Sequence, residues 1–193
     1  MKFLHLTWSD VQRLCEVVAG KMRGDGYRPD VVVGVSRGGF DPARILCDQL
    51  MVKRLASFQI EYYNAINEKS KVPKVIYPLN ADVSGMRVLV VDDVSDSGHS
   101  LEMAKRHVSE RGASEVRVAT LHYKPWSSFE PDYYAEGTES WVVYPWEVKE
   151  CLLGTAEKLR SKGLHQKAIH EELLGKGFKE EQLRKYLAPL EDV

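Results

Sequence analysis

Apolar residues recur at helical spacing over residues 7–22, where Trp8, Val11, Leu14, Cys15, Val18 and Met22 fall on one face. Thr7 or Ser9 stands where an N-cap hydroxyl is needed. After Asp30 the period changes, and residues 31–35 form a short continuous apolar run, the mark of a strand buried on both faces. Helical spacing returns over 43–51, so the turn SRGGFDP lies between a strand and a helix. A further strand is predicted over 57–63. Residues 64–73 are polar, lysine-containing and aperiodic, and predict an exposed mobile segment. A second buried strand at 88–91, a helix over 99–111 that stops at Gly112, and a strand at 116–121 complete the alternation. Strand and helix in turn predict an α/β fold with a central, mostly parallel sheet flanked by helices. Such a sheet binds ligands outside the carboxyl ends of its strands. Beyond Trp146 the pattern becomes helical throughout, over 148–161, 164–174 and 180–187, with glycines at 163, 175 and 177 between the segments.

At 193 residues, with 44% hydrophobic and 28% charged positions, the chain has the size and balance of one main domain with an appendage. We place the main domain at 1–147 and the helical extension at 148–193. The formal net charge of −1 provides no general attraction for nucleic acid or an anionic membrane, and neither is expected as a partner. Cys15, Cys47 and Cys151 are widely spaced and form no CxxC pair, which suits buried free thiols in a reducing compartment. No apolar run is long enough to span a bilayer and the N-terminus lacks a signal-peptide core, so the expected location is the cytoplasm.

The chemistry concentrates in VLVVDDVSDSGHS, residues 88–100. Asp92 and Asp93 end an apolar strand. Neighbouring side chains on a regular strand point to opposite faces, so the turn is expected to begin at this pair if both are to meet one ligand. Asp96, Ser97, Gly98, His99 and Ser100 then offer successive N–H groups, two hydroxyls and a helix N-terminus, which together suit a phosphate. Carboxylates so close to a phosphate call for compensation by Mg²⁺ and directed N–H donors. Ser36, Arg37, Gly38 and Gly39 form a second anion-binding candidate, with one charge and two exposed backbone positions. Neither a P-loop nor a Rossmann GxGxxG occurs. Two cradles around paired acids therefore indicate a ligand with phosphate at both ends.

Residues 88–100 resemble the signature of the type I phosphoribosyltransferases for 5-phosphoribosyl 1-pyrophosphate (PRPP). VSRGGFDPARILCDQL and LHYKPWSSFEPDYYAEGTESWVVYPWE resemble, respectively, the first active-site loop and the purine-binding half of the microbial 6-oxopurine (xanthine, guanine, hypoxanthine) enzymes, and the likeness covers residues 5–147. It implies a small purine-binding hood beside the sheet and a homodimer. Asp92 and Asp93 would engage the ribose hydroxyls and magnesium, and Asp96 would be the acid/base facing purine N7. Ser97, Gly98, His99 and Ser100 would hold the 5′-phosphate, and Ser36, Arg37, Gly38 and Gly39 the pyrophosphate, with a cis peptide at Ser36–Arg37. Lys124 would donate to the 6-oxo group. Trp141 would stack on the base, Val142 would offer backbone contacts, and Glu147 would stand at the metal.

The implied activity is magnesium-dependent transfer of the phosphoribosyl group from PRPP to a 6-oxopurine, with Asp96, Lys124 and Arg37 as the catalytic groups, in purine salvage. Residues 64–73 would be the lid, and Tyr62 and Tyr63 either reach the closed site or pack at a strand end. Departures from the pattern are Glu147 in place of aspartate, and His99 and Trp126 where smaller residues are common. The tail has no counterpart in the shortest members. Transfer to adenine or a pyrimidine, and PRPP sensing without turnover, remain open beside this reading. Trp8 and Trp146 are expected in the core, and His165 and His170 on a surface or in helix packing.

Overall fold

A computed structural model describes residues 2–64 and 71–187 and divides into two compact units, one of residues 11–138 and one of residues 2–10 with 139–187. The larger unit holds a six-stranded sheet in the order β4-β3-β2-β5-β6-β7. Its strands are β2 (Val31–Ser36), β3 (Leu55–Asn64), β4 (Lys71–Tyr77), β5 (Arg87–Ser95), β6 (Glu115–Tyr123) and β7 (Tyr133–Gly137). All neighbours run parallel except β3 and β4. Helices α1 (Trp8–Gly24), α2 (Phe40–Leu50) and α3 (His99–Ser109) complete the α/β alternation.

The valine runs are buried because both faces of the sheet are covered. Val31, Val33 and Val35 join Val88, Val90, Val116 and Val118 in one core with Leu101, Ala104 and Val108 of α3. The alternate residues Val32, Leu89, Val91 and Ala119 are buried as well, and α2 packs on this side, where a Cβ on Gly34 would lie 3.2 Å from the Cβ of Ala43. Each valine taken fully out of water contributes about 1.5–3 kcal/mol. At the start of β2, Asp30 receives the backbone N–H and guanidinium of Arg87, and these bonds hold its carboxyl at about 2.

Three elements of the larger unit differ from the sequence reading. Helix α2 begins at Phe40 rather than 43, because Pro42 falls in the first turn, where a missing N–H has no intrahelical partner to lose. Strand β5 does not stop at the paired acids but stays in register with β6 through Ser95, so the turn starts after Ser95 and not at Asp92. Residues 71–73, expected to be aperiodic, enter β4, with Pro73 tolerated on the edge strand of the sheet. The rest of the expected lid, residues 65–70, lies outside the described residues.

The smaller unit is built from both ends of the chain. Strand β1 (Phe3–His5) pairs in parallel with β8 (Trp141–Val143). Helices α4 (Val148–Ser161), α5 (Gln166–Gly175) and α6 (Glu180–Tyr186) follow. Their core joins Val143 to Leu152, Ala156, Ile169, Leu173, Phe178 and Leu183, with Phe3 packed against it. The helical tail thus shares one hydrophobic cluster with the strand that precedes it. Helix α5 starts later than the apolar period suggests because His165 caps it, its Nδ1 accepting from the Ala168 N–H at 3.2 Å. His170 bonds Glu180 at 2.9 Å. Trp146 stacks flat on Tyr144 at 4.8 Å, and Trp8, expected in the core, covers it from the surface, 54% exposed. Among the described residues no helix is long and apolar enough to cross a membrane.

His122 on β6 is fully buried, and burial pushes its imidazole down to about 4, with Glu136 opposing the shift. The folded protein keeps this ring neutral while the unfolded chain protonates it near its ordinary value. Its contribution is therefore complete above that value and is lost as pH falls from about 6.5 towards about 4. Urea unfolding should show about 2–3 kcal/mol lost through this residue between about pH 7 and about pH 4.5. The H122Q variant should show a correspondingly flatter profile over that interval; an unchanged profile would contradict the assignment.

Candidate active site

The carboxyl ends of β2 and β5 carry the two Gly/Ser turns. After β2 the Ser36–Arg37 peptide is cis. The chain then turns tightly enough for the Gly39 N–H to donate to the Val35 carbonyl at 2.8 Å. A Cβ on Gly38 would lie 2.2 Å from Asp93 Oδ2, so only glycine lets the turn approach this carboxylate. Arg37 is exposed at the tip.

Because β5 continues past its apolar run, strand alternation separates the paired acids. Asp93 is buried towards the Gly38 turn, at 7% exposure. Asp92 lies on the other face, on the side of α3, and lines a cavity of about 260 Å³ with Tyr62, Ser95, Asp96, Ser97 and Ser100. The Asp93 N–H donates to Asp92 Oδ1 at 3.0 Å, which ties the two together through the backbone. Around the mouth of the cavity, the Ser100 hydroxyl donates to the Tyr62 hydroxyl at 2.9 Å, and Tyr62 and Ser97 are 3.2 Å apart. His99 and Ser100 open α3, whose first N–H groups have no intrahelical acceptor. Three hydroxyls and a helix N-terminus therefore converge, a combination suited to a phosphate.

The segment from Lys124 to Phe129 is stitched along this turn. Lys124 N–H donates to Ser95 O at 3.0 Å and Ser128 N–H to Ser97 O at 3.1 Å. The Ser128 hydroxyl also donates to Ser97 O, and the Ser95 hydroxyl to Phe129 O at 2.8 Å, with Ser127 within 2.9 Å of the same hydroxyl. Gly98 sits at φ +90, and a Cβ there would lie 2.5 Å from the Phe129 nitrogen. The phosphate-like turn and the Lys124 turn are thus one rigid piece. Lys124 is 5% exposed, and burial pushes its ammonium below the ordinary lysine value, with Asp96 opposing. Trp126 bridges the two charges: its Nε1–H donates to Asp96 Oδ1 at 3.1 Å, and Lys124 Nζ lies 5.5 Å from its ring centroid.

Of the residues singled out in the sequence, the larger unit gathers Asp92, Asp96, Ser97, Gly98, His99, Ser100 and Lys124 around one turn, and sets Ser36, Arg37, Gly38 and Gly39 beside Asp93. Trp141, Val142 and Glu147 belong to the smaller unit. There Trp141 and Glu147 line a cavity of about 580 Å³ bounded by α4 and α5, and Glu147 is the N-cap residue of α4. Among the described residues no three His, Cys, Asp or Glu side chains gather to hold a metal. On β5 strand alternation sends Asp92 and Asp93 to opposite faces, and Glu147 belongs to the other unit. The donor set still fits magnesium, which is usually held by one or two carboxylates together with substrate phosphates and water. Trp126 and Ser95 were not assigned to the site from sequence. A serine at a strand end and a tryptophan in a turn carry no spacing signal, and only their hydrogen bonds reveal them.

A phosphoribosyl transferase domain model matches residues 7–150. The chain is 26% identical over 159 residues to the xanthine-guanine phosphoribosyltransferase of Ruegeria sp. (strain TM1040), covering 76% of this chain and 86% of that one. Among solved structures, the purine phosphoribosyltransferase of Pyrococcus horikoshii Ot3 is 39% identical, with a TM-score of 0.68 over 76% of this chain and 94% of its own. A Neisseria gonorrhoeae protein solved with bound ppGpp is 27% identical, with a TM-score of 0.69 over 76% of this chain and 89% of its own.

The close approach at Gly98 sets a measurable cost. G98A should destabilise the protein by about 2 kcal/mol or more, since a left-handed backbone alone costs an alanine about 1–2 kcal/mol and the Phe129 backbone blocks the new methyl. G154A, inside α4 with open space where the new methyl would lie, should instead stabilise by about 0.5–1 kcal/mol. Thermal or urea unfolding of the two variants checks both signs.

Proposed function

Because the chain belongs to the phosphoribosyl transferase family, we propose that it transfers the 5-phosphoribosyl group of PRPP to N9 of a 6-oxopurine, releasing pyrophosphate and a nucleoside 5′-monophosphate. The observation that carries this reading is the piece in which the turn bearing Asp96 and Ser97, beside the cavity lined by Asp92, is bonded through Ser95, Asp96 and Ser97 to the segment bearing Lys124. A sugar-phosphate cradle and a buried ammonium are thereby held in fixed register.

The Ser97 and Ser100 hydroxyls and the first N–H groups of α3 bind the 5′-phosphate. Asp92 accepts from the ribose hydroxyls. The N–H groups of the Gly38–Gly39 turn and the Arg37 guanidinium hold the pyrophosphate as it leaves. As the C1–O bond breaks, positive charge develops on the sugar, and the Asp92 and Asp93 carboxylates stabilise it. Asp96 takes the proton released by the attacking base. Magnesium, held by Asp92 or Asp93 together with PRPP oxygens, would neutralise charge on the pyrophosphate. Lys124 donates to the 6-oxo group and so favours oxopurines over adenine, whose 6-amino group is itself a donor. Trp141, Val142 and Glu147 take the stacking, backbone and water- or metal-mediated roles that the family resemblance gives them. A homodimer and a cytoplasmic location are part of the same proposal.

The ppGpp carried by the similar Neisseria protein favours a second reading for this chain. A guanine nucleotide with phosphates at both ends could fill two anion cradles and act as an inhibitor or as the sensed ligand.

Incubation with PRPP, Mg²⁺ and a panel of bases should release pyrophosphate with hypoxanthine, guanine or xanthine, and EDTA should abolish it. PRPP binding without turnover on any base would favour the sensor, and competition by ppGpp would support the second reading. D96N should lower kcat by on the order of 10² or more while leaving PRPP affinity nearly unchanged. Equal losses in both would assign Asp96 to binding. Y62F, which removes the hydroxyl bonded to Ser97 and Ser100, should raise KM for PRPP by about fivefold, the worth of about one hydrogen bond, with kcat retained.

A further inference from the structure

We propose that Trp126 is a positioning residue for Asp96, fixing the carboxylate so that one oxygen is reserved for the substrate proton; the inference rests on the phosphoribosyl-transfer reading above. Asp96 stands on an exposed turn between the end of β5 and the start of α3. Its side chain is short but rotates freely in such a setting, and an acid/base must be held in line with the proton it takes. Among the described residues, the hydrogen bond from Trp126 Nε1 to Asp96 Oδ1, at 3.1 Å, is the one its carboxylate makes.

The donor is itself fixed. Trp126 follows Lys124 and Pro125 in a turn closed by the Ser127 N–H to Lys124 O bond at 2.9 Å. That turn is bonded to Ser95 and Ser97 on both sides of Asp96. The indole therefore leaves a backbone locked to the same turn that carries the acid. Lys124 Nζ near its face adds a contact at the other end. The ring is 57% exposed, which removes core packing as the reason for its presence.

Indole suits the task because it only donates. With Oδ1 occupied, Oδ2 is the oxygen that receives the proton. The base N–H bond breaks, an O–H bond forms at Oδ2, and the Trp126 bond to Oδ1 persists throughout. No other proton carrier is required, and the indole cannot divert the proton to itself.

W126F keeps an aromatic ring and removes only the donor. Its kcat with a 6-oxopurine should fall about tenfold, while KM for PRPP and the unfolding temperature stay at wild-type values. The same change in a D96N background should produce no further loss, since there is no proton-accepting carboxylate left to orient. A wild-type kcat in W126F would overturn the inference. So would an equal tenfold loss in the D96N background, or a change confined to KM for the base, which would make Trp126 a stacking surface. Absence of turnover in the unmodified protein would overturn the transfer reading and this inference with it, and is recorded before any variant is compared.

Discussion

Strand β5 keeps its hydrogen-bond ladder with β6 as far as Ser95, past the point where its apolar residues give way to acids. The arrangement of the candidate site depends on that continuation. While the backbone remains a strand, each successive side chain must change face. Asp93 goes to the Gly38 turn, Asp92 to the cavity on the α3 side, and Ser95 inward to anchor the segment that follows Lys124. An earlier turn would have released two carboxylates into one space with no backbone rule to hold them apart.

The second organising element is the seam between the Ser95–Ser97 stretch and residues 124–129. Backbone bonds alternate with serine hydroxyls along it, and Gly98 permits a contact that no other residue could make. Polar groups bonded to one another in this way satisfy themselves without water and resist separate motion. The seam joins the end of β5 to the end of β6, two neighbouring strands whose valine cores are already fixed. Precision at the exposed end of the sheet is therefore inherited from the packing of its middle.

Much of this was legible in the chain itself. Continuous valine runs announced buried parallel strands, and the Gly/Ser turns after Val35 and Val91 announced the breaks between these strands and α2 and α3. The order of the helices beyond Trp146 followed from their apolar period. What the sequence could not convey was where strands yield to turns, because Asp92 and Asp93 carry low strand propensity and are kept in the ladder by their neighbour β6. The late start of the β5 turn and the entry of Lys71 into β4 are cases in which tertiary pairing overrode local preference, whereas α2 starts early because its first turn accommodates Pro42. Trp126 was visible as an unusual residue, but its bond to Asp96 depends on a turn whose shape is set by distant serines.

The pairing of β1 with β8 bears on the order in which the protein can be made. Phe3–His5 is made well before its strand partner Trp141–Val143, and the aromatic contacts of Phe3 and His5 with Phe178 come later still. Residues 11–138, by contrast, are contiguous and contain every strand of the large sheet. During synthesis the sheet with its Gly/Ser turns can close while β1 still waits. Strand β1 finds its partner only after Val143 has been made.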